Sequence, residues 1–469
     1  MTAARESNVH LLLTANNPSP DLCKTILTAA VLEYPTPIVL AWQQEFNEPG
    51  LLAGGSHLAK VSEVLKYLTS LPPGKDDDIV FLVDAYDVWF QLPMQVLLGR
   101  YKTMNAQADA RLARRWGLEQ VPEGLEQTIV MAAGKRCAPN QPHTIACYPL
   151  PEPPTSMDLY GNNTDTIIGR NKYYSLRQRY LNSGYIVGPA AHMRSLFERA
   201  SILIKQSQND DPEDNGSHGS DMLYHGSDQS IFNIIFGQQE YRREGLRRES
   251  GAQSSDTARP ETSRTMLEGT VINDVLNPSF THEIFVPDPG VNYEYHIGLD
   301  YHSDLGHQTV NSELDARYLR HDRDLPTQID GRNDFDCPLH SPFPFPADVL
   351  ASKNPYHSLG TTHELYDLGW PSVPLYSHLC YGTIPVLIHH NGDKSARGRD
   401  WDKLWLQPEL PAFLAAQARL GETRSGEETK DYAASEVRRR DAGAWIGGTE
   451  FVAWDVFCPA YASQEVLPA

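Results

Sequence analysis

The chain has 469 residues, 40% of them hydrophobic and 9% aromatic, a composition typical of a globular protein with one large or two ordinary domains. The formal net charge of −20 argues against a nucleic-acid partner, because phosphate backbones require clustered Lys and Arg. A nucleotide is still compatible with this charge, since a metal ion can bring it to an acidic site. We expect no membrane span, because no run approaches about 18 apolar residues.

The first part of the chain alternates between apolar runs of strand length and segments with helical spacing. In chain order the pattern predicts strand, helix, strand, helix and strand at residues 9–16, 22–33, 35–42, 57–71 and 79–83. This alternation predicts an α/β layered fold with a central, mostly parallel sheet. Ligands of such sheets bind in the crevice at the carboxyl ends of the strands.

The alternation continues less regularly towards the end of the chain. Further strands are predicted at residues 127–133, 181–187, 293–300 and 383–392, and further helices at residues 93–101, 192–205, 230–237 and 401–420. Asn182, Ser183 and Gly184 interrupt the pattern of the second of these strands. Small polar residues and glycine inside a strand indicate a backbone that closely approaches another group.

Polar and charged stretches indicate how the chain is divided. We expect one domain over residues 8–415, with mobile inserts at about 206–220 and 242–264. A charged segment with a C-terminal extension is expected over residues 416–469, and its strand-like pieces fit no predicted element.

The six cysteines are too sparse for a disulfide scaffold. Cys137 and Cys147 bracket a Pro-containing loop, APNQPHTIA, and we predict a local disulfide between them, as an oxidising compartment would permit. Two free buried thiols are the alternative.

Two predicted strands end in side chains that bind metal ions. Asp84 and Asp87 follow the strand at 79–83, and His389 and His390 close the last apolar run. Two carboxylates with one imidazole suit Mn²⁺ or a similar first-row cation, which can bind the oxygens of a diphosphate. Solvated loop acids and incidental histidines at a strand end are the alternative interpretation.

Six segments strengthen the metal interpretation. They lie in order along about residues 10–410 and read GGSHLAKVSEVLKYL, FLVDAYDVWF, RYLNSGYIVG, SDQSIF, IGLDYHSDLGHQT and IHHNGDKS. Together they resemble the glycosyltransferase domain at the N-terminal end of the collagen lysyl hydroxylases, and the fungal proteins that share this domain. The resemblance implies a GT-A-like, Rossmann-related fold and transfer of a hexose from a UDP-sugar with Mn²⁺.

The resemblance also implies site residues. Asp84, Asp87 and His389 would be the metal ligands, and His389 is preferred over His390 because it holds the first position of the H-x-N-G segment. The nucleotide and its diphosphate would contact a second set of residues: Thr14, Lys60, Tyr86, Gly392 and Lys394.

Asn182 and Asp228 would line the sugar and acceptor side. The chain departs from the family here, because the acid cluster before Gln229 is reduced to Asp228. The catalytic carboxylate and the sugar preference therefore stay open. If the anomeric configuration is inverted, Asp228 is the expected general base.

These features predict a metal-dependent glycosyltransferase that moves a hexose from a UDP-sugar to a hydroxyl group of a protein or glycan. One alternative is a catalytically inactive protein of the same fold that binds a nucleotide-sugar or a glycan. The other is a non-haem iron 2-oxoglutarate oxygenase that uses His302 and Asp304, which is disfavoured because such oxygenases are antiparallel jelly rolls. The resemblance favours the secretory pathway or secretion, although the N-terminal sequence shows no signal peptide.

Overall fold

The computed structural model describes residues 8–141, 144–166, 173–209, 226–249, 285–324, 344–424, 442–458 and 466–467. Within them the strands are Val9–Thr14 (β1), Ile38–Leu40 (β2), Ile79–Asp84 (β3), Val88–Phe90 (β4), Ile129–Gly134 (β5), Tyr180–Pro189 (β6), Ile297–Asp300 (β7), Gly306–Gln308 (β8), Ala316–Leu319 (β9), Leu375–His378 (β10), Leu387–His389 (β11), Gly443–Ile446 (β12) and Glu450–Ala453 (β13). The α-helices are Pro20–Val31 (α1), Ser56–Ser70 (α2), Met94–Arg115 (α3), Ala190–Asn209 (α4), Asp228–Glu249 (α5), Ala347–Leu350 (α6), Ala396–Arg399 (α7), Leu410–Arg424 (α8) and Trp454–Phe457 (α9).

The central sheet has eight strands in the order β13-β12-β2-β1-β3-β6-β5-β7. Neighbouring strands are parallel except at β6, which is antiparallel to β3 and β5, and at β13, which is antiparallel to β12. The predicted α/β fold with a large, mostly parallel central sheet is therefore confirmed, and the arrangement is compatible with a Rossmann-like fold.

Helices cover both faces of this sheet, which explains the unbroken apolar run of β3. Val80 and Leu82 pack into a cluster with α2, α4 and α5, whereas Phe81 and Val83 pack into a second cluster with α1 and α3. A strand buried on both faces has no polar alternation. The run ends at Asp84, where the strand reaches the edge of the sheet.

Two pairings bring distant parts of the chain to this edge. β1 is parallel to β3 in a register that places Thr14 beside Asp84. β4, directly after the two acids, pairs antiparallel with β11 so that Val88 lies opposite His389. β8 completes this smaller, three-stranded sheet. The strand pairing thus carries His389 to the two carboxylates across about 300 residues of sequence.

The C-terminal extension belongs in part to the central sheet. β12 is parallel to β2, with Trp445 beside Ile38, and β13 adds the edge strand. A disulfide joins Cys458 to Cys23 in α1, with a Cα–Cα distance of 5.3 Å. Residues 443–458 are therefore bound to the main sheet and do not form a separate piece.

One predicted insert is wrong over its first residues. Residues 242–249 continue α5, because Arg243 forms buried ion pairs with Glu240 and Glu294 at 3.0 and 2.6 Å. Charged side chains can be buried in a helix when they are paired. The composition of this stretch, read without its partners, resembles that of a solvated segment. Likewise α4 extends to Asn209, into the other predicted insert. Residues 210–220 and 250–264 of these inserts lie outside the described residues.

The predicted local disulfide is confirmed: Cys137 and Cys147 are bonded, with a Cα–Cα distance of 5.9 Å. The loop that they close packs against α5, where the amide of Asn233 donates to Asn140 and to the carbonyl of Ala138, both at 3.0 Å.

As for membrane spans, none of the described helices combines the length and the apolar character needed to cross a bilayer.

Candidate metal centre

Asp84, Asp87 and His389 lie together at the carboxyl edge of β3. One ligand atom from each residue can be chosen so that all three lie within 4.8 Å of one another. Nε2 of His389 is 3.5 Å from Oδ2 of Asp84 and 3.4 Å from Oδ1 of Asp87. No other group of three His, Cys, Asp or Glu side chains in the described residues has this proximity. The structure thus brings together the three residues that the sequence proposes as ligands.

The surroundings of the His389 imidazole are compatible with metal ligation. Its side chain is 2% exposed, and neither ring nitrogen has a hydrogen-bond partner among the residues that the structure describes. A buried polar group without a partner is costly unless another group satisfies it. Burial alone would lower the pKa of His389, but the Asp87 and Asp84 carboxylates raise it to about 9. These donors fit a divalent cation, which would take the place of the proton.

His390 lies on the other side of the strand. Its ring packs 3.9 Å from the ring of Trp89, centroid to centroid, and burial lowers its pKa to about 3. Adjacent residues of a strand point to opposite faces. His389 alone of the two histidines therefore faces the acids.

Gly184 creates the space for the imidazole. β6 makes a bulge in which Ile186 lies opposite Met131 and Asn182 lies opposite Ala132. A Cβ atom at Gly184 would lie 2.7 Å from Nε2 of His389 and closer still to Cε1 and Nδ1. The close backbone approach that the interrupted strand pattern predicts is therefore to the ring of His389.

Each carboxylate is oriented by a cation, Asp84 by the buried Lys60 and Asp87 by the partly buried Arg397. Nζ of Lys60 lies 2.7 Å from Oδ1 of Asp84, which leaves Oδ2 turned towards His389. A guanidinium nitrogen of Arg397 lies 3.3 Å from Oδ2 of Asp87, which leaves Oδ1 towards the same imidazole. Burial alone would raise the pKa of Asp87, but His389 and Arg397 lower it to about 2, so this ligand is ionised.

Sequence reasoning missed Arg397, which follows the H-x-N-G segment in a polar turn. Its guanidinium also contacts Asp21 at 3.2 Å and the carbonyls of Tyr86 and His390 at 3.1 and 3.2 Å. It therefore fixes the backbone on both sides of the centre. The sequence offers one signal for it: Arg397 is one of two arginines, with Arg399, among the small and polar residues that follow the segment.

Lys60 connects the centre to Asp228. Its Nζ lies 3.1 Å from Oδ2 of Asp228 and donates to the carbonyl of Ser183 at 2.9 Å. Asp228 also lies 3.3 Å from Nδ1 of His57, a residue that sequence reasoning missed. Lys60 and His57 are three residues apart in α2 and so share one face of the helix. The structure thus places Lys60 with the acidic groups of the site.

Asn182 lies on the β6 bulge. Its amide donates to Oε1 of Gln229 at 2.7 Å, and its Oδ1 accepts the backbone N–H of Gly184 at 3.0 Å. Gln229 in turn donates to the carbonyl of Ala138 in the disulfide loop. Asn182 therefore joins the bulge under His389 to the start of α5, beside Asp228.

Thr14 and Tyr86 lie on the β1 side of the crevice. Thr14 is the last residue of β1 and is partly buried. The hydroxyl of Tyr86 accepts the backbone N–H groups of Asn16 and Asn17, both at 3.0 Å. Tyr86 thus ties the loop after β1 to the loop that carries the acids.

Gly392 and Lys394 lie beyond His389. The N–H of Gly392 donates to the hydroxyl of Thr309 at 3.0 Å, and a Cβ atom there would lie 2.5 Å from a carboxylate oxygen of Glu313. Lys394 is exposed and stands just before α7. Gly392 therefore packs closely against Glu313 and Thr309, while Lys394 is accessible from solvent.

His302 and Asp304 do not form part of a metal group with a second histidine in the described residues. The ring of His302 packs edge-on to Tyr381, with 5.7 Å between centroids. The backbone of Asp304 donates to Asp300 at 2.8 Å and accepts from Arg100 at 2.8 Å. The α/β fold is also not the jelly roll that an oxygenase of this kind requires.

Comparison with known proteins gives this chain no family. No protein-family model matches it, and no curated protein does either.

Proposed function

We propose that the protein is a metal-dependent glycosyltransferase that moves a hexose from a UDP-sugar to a hydroxyl group of a protein or glycan. The main support for this proposal is the group of Asp84, Asp87 and His389 at the carboxyl edge of a mostly parallel sheet. The six segments that resemble the lysyl hydroxylase glycosyltransferase domain support a GT-A-like assignment of the fold.

The donor set fits Mn²⁺ or a similar cation. Two carboxylate oxygens and one imidazole nitrogen face each other, and Oδ1 of Asp87 and both nitrogens of His389 lack a hydrogen-bond partner among the described residues. Asp84, Asp87 and His389 would hold the cation, which would supply positive charge to stabilise the negative charge that develops on the leaving UDP. Lys60 and Arg397 orient the two carboxylates and neutralise part of their charge.

The residues around the centre divide between the two substrates. Thr14 and Tyr86, on the β1 side, would contact the uridine, with Lys394 and the backbone of Gly392 near the diphosphate. Asn182 and Asp228, on the β6 and α5 side, would line the transferred sugar. Ligands of open α/β sheets bind in such a crevice, with strand ends on either side.

Two disulfides among the described cysteines favour an oxidising compartment. We therefore place the protein in the secretory pathway or outside the cell. Mass spectrometry of unreduced peptides from native material would show Cys137 bonded to Cys147, and free thiols at both positions would contradict this placement.

A panel of UDP-sugars with Mn²⁺ tests the proposed function. We expect Mn²⁺ together with at least one UDP-sugar to raise the melting temperature, and UDP to be released on incubation. Asp87→Asn should reduce UDP release by about a hundredfold or more, because a ligand that stabilises the transition state is lost.

Asp76→Asn is the matched control. Asp76 precedes the same strand at its opposite end and is 61% exposed, so its loss should leave UDP release unchanged. Binding of a UDP-sugar without UDP release would favour the inactive binding protein. The absence of any effect of Mn²⁺ and UDP-sugars would overturn the proposal.

A further inference from the structure

His57 and Asp228 form a pair at the mouth of the site. Nδ1 of His57 lies 3.3 Å from Oδ1 of Asp228, and the side chain of His57 is 46% exposed while that of Asp228 is 7% exposed. Two ion pairs connect this pair to the candidate metal centre, because Lys60 bridges Asp228 and Asp84 at 3.1 and 2.7 Å. An accessible imidazole thus lies next to a buried carboxylate on the sugar and acceptor side of the crevice.

The carboxylate fixes the protonation pattern of the ring. An ionised carboxylate can only accept hydrogen bonds, so Nδ1 of His57 must carry the proton. In the neutral imidazole the lone pair then resides on Nε2, to which no described residue hydrogen-bonds. The hydrogen bond with Asp228 also raises the pKa of His57 above its ordinary value, which makes Nε2 a stronger base.

Asp228 itself is poorly suited to accept a proton. It is buried, and both of its oxygens face cations or donors, Oδ2 at 3.1 Å from Lys60 and Oδ1 at 3.3 Å from His57. Burial would raise the pKa of Asp228, but Lys60 and His57 hold it well below its usual range. The carboxylate is therefore a weak base whose two oxygens face Lys60 and His57.

We propose that His57 is the general base of the sugar transfer and that Asp228 is its positioning residue. This inference rests on the proposed function. The acceptor oxygen forms a bond to the anomeric carbon while the bond from that carbon to the diphosphate oxygen breaks. UDP leaves with the electron pair of the broken bond, and the acceptor proton passes to Nε2 of His57. A displacement of this kind inverts the anomeric configuration.

The charged groups facing His57 come from three elements. They are Asp228 of α5, Lys60 of α2 and, beyond Lys60, Asp84 of β3. The two acids favour the imidazolium that forms when the acceptor proton is taken, and Lys60 opposes it. The arrangement therefore stabilises the charge that His57 acquires during transfer.

The experiment compares wild type, His57→Gln and a matched control with UDP-glucose and UDP-galactose, Mn²⁺ at saturation and water as the acceptor. His10→Gln is the control, because His10 pairs with Asp78 at 3.0 Å near the amino end of the same sheet. We expect His57→Gln to lower the rate of UDP release at least about a hundredfold with unchanged donor binding. His10→Gln should match wild type.

The pH profile separates a base from a merely structural residue. The wild-type rate should fall as the pH drops through the pKa of His57, because the protonated ring accepts no further proton. This acidic limb should be lost in His57→Gln and retained in His10→Gln. Imidazole added to His57→Ala should restore UDP release, and NMR should show the β-anomer as the sugar first released from the α-linked donor.

The outcomes distinguish the inference from the proposed function. Wild type that neither binds nor cleaves these two donors or any other UDP-sugar of the panel overturns both. Wild type that turns over while His57→Gln keeps its rate and its acidic limb overturns the role of His57 alone. The α-anomer as first product also overturns that role, because it shows retention at the anomeric carbon.

Discussion

Lys60 and Arg397 perform the same local task on opposite sides of the candidate metal centre, yet their surroundings differ. Each binds the oxygen of one carboxylate that does not face His389, Lys60 at Asp84 and Arg397 at Asp87. The ligand oxygens are therefore oriented by a pair of cations, one on α2 and the other on α7.

The remaining contacts of the two cations differ in kind. Arg397 is bound to Asp21 of helix α1 and to the backbone carbonyls of Tyr86 and His390. Lys60 is bound to Asp228, and Asp228 leads to the half-exposed His57. The Arg397 side thus fixes the geometry of the backbone, whereas the Lys60 side connects the centre to an accessible titratable group.

The difference separates a rigid side of the candidate site from a side that carries an accessible titratable group. A planar guanidinium with several donors is suited to holding carbonyls and a carboxylate in one arrangement. A lysine ammonium is a point charge that can be shared between two acids. Variants that remove one cation at a time separate these two functions.

Removing Lys60 should have the largest effect. Lys60→Met leaves Asp84 and the buried Asp228 without their shared counter-charge, and we expect the free energy of unfolding to fall by about 3–5 kcal/mol. UDP release should be lost as well. Urea unfolding measures the first effect, and Lys66→Met, at a side chain 77% exposed on the same helix, should stay within about 0.5 kcal/mol of wild type. If Lys60→Met had wild-type stability, Lys60 would not be the counter-charge that Asp84 and Asp228 share.

Removing Arg397 should have a smaller effect on stability and a specific effect on the metal. We expect Arg397→Met to cost about 2–3 kcal/mol, because several hydrogen bonds to charged and backbone groups are lost. Mn²⁺ affinity should fall about tenfold or more, as is usual when a group that orients a ligand is removed.

The control for this variant is Arg399→Met in the same short helix. Arg399 is 55% exposed and binds Asp393 at the surface, so isothermal titration should give the wild-type Mn²⁺ affinity. Equal affinities in the two variants would show that Arg397 does not orient Asp87.

Gly184→Ala tests the packing beneath His389, the residue that lies between the Lys60 side and the Arg397 side of the centre. A methyl group there overlaps the ring of His389, and overpacking of this kind costs about 1–3 kcal/mol. The imidazole must move, so Mn²⁺ binding should be lost although both cations are intact. Gly99→Ala, where an added Cβ meets no atom within 4 Å in helix α3, should instead stabilise the protein by up to about 1 kcal/mol. Wild-type Mn²⁺ affinity in Gly184→Ala would show that His389 is not a ligand.

The two acids and the histidine could be predicted because each follows an apolar run. β3 is buried on both faces, so its sequence is unbroken up to Asp84, and β11 ends in the same way at His389. Strand ends of a mostly parallel sheet collect at one edge, which places the acids after β3. His389 ends β11 of the smaller sheet, and the pairing of β11 with β4, directly after the acids, brings it to the same place. Residues whose position depends only on where a strand stops can therefore be identified from sequence.

Arg397 and His57 could not be predicted in this way. His57 lies within the GGSHLAKVSEVLKYL segment and Arg397 just after the IHHNGDKS segment, and their roles depend on which way each side chain points. Arg397 reaches back across the H-x-N-G turn to Asp87, and His57 reaches from α2 to α5. No spacing within one segment encodes a contact between two segments.

The C-terminal strands and the end of α5 were missed for different physical reasons. β12 has four residues and takes its place by pairing with β2, some 400 positions earlier in the chain. The charged end of α5 has the composition of a solvated segment, but its arginines are neutralised by Glu240, Glu244 and Glu294. In both cases the structure of the segment depends on residues that are distant in sequence, β2 for β12 and Glu294 for the end of α5.

Electron spin-echo spectroscopy of Mn²⁺ bound to the protein, with and without UDP, tests the central claim most directly. We expect one Mn²⁺ per chain, modulation from the nitrogen of a single imidazole, and phosphorus coupling once UDP is added. The nitrogen signal should disappear in His389→Asn and persist in His390→Asn. A chain that binds no Mn²⁺, or a nitrogen signal that survives in His389→Asn, would contradict the assignment of Asp84, Asp87 and His389 as the metal centre.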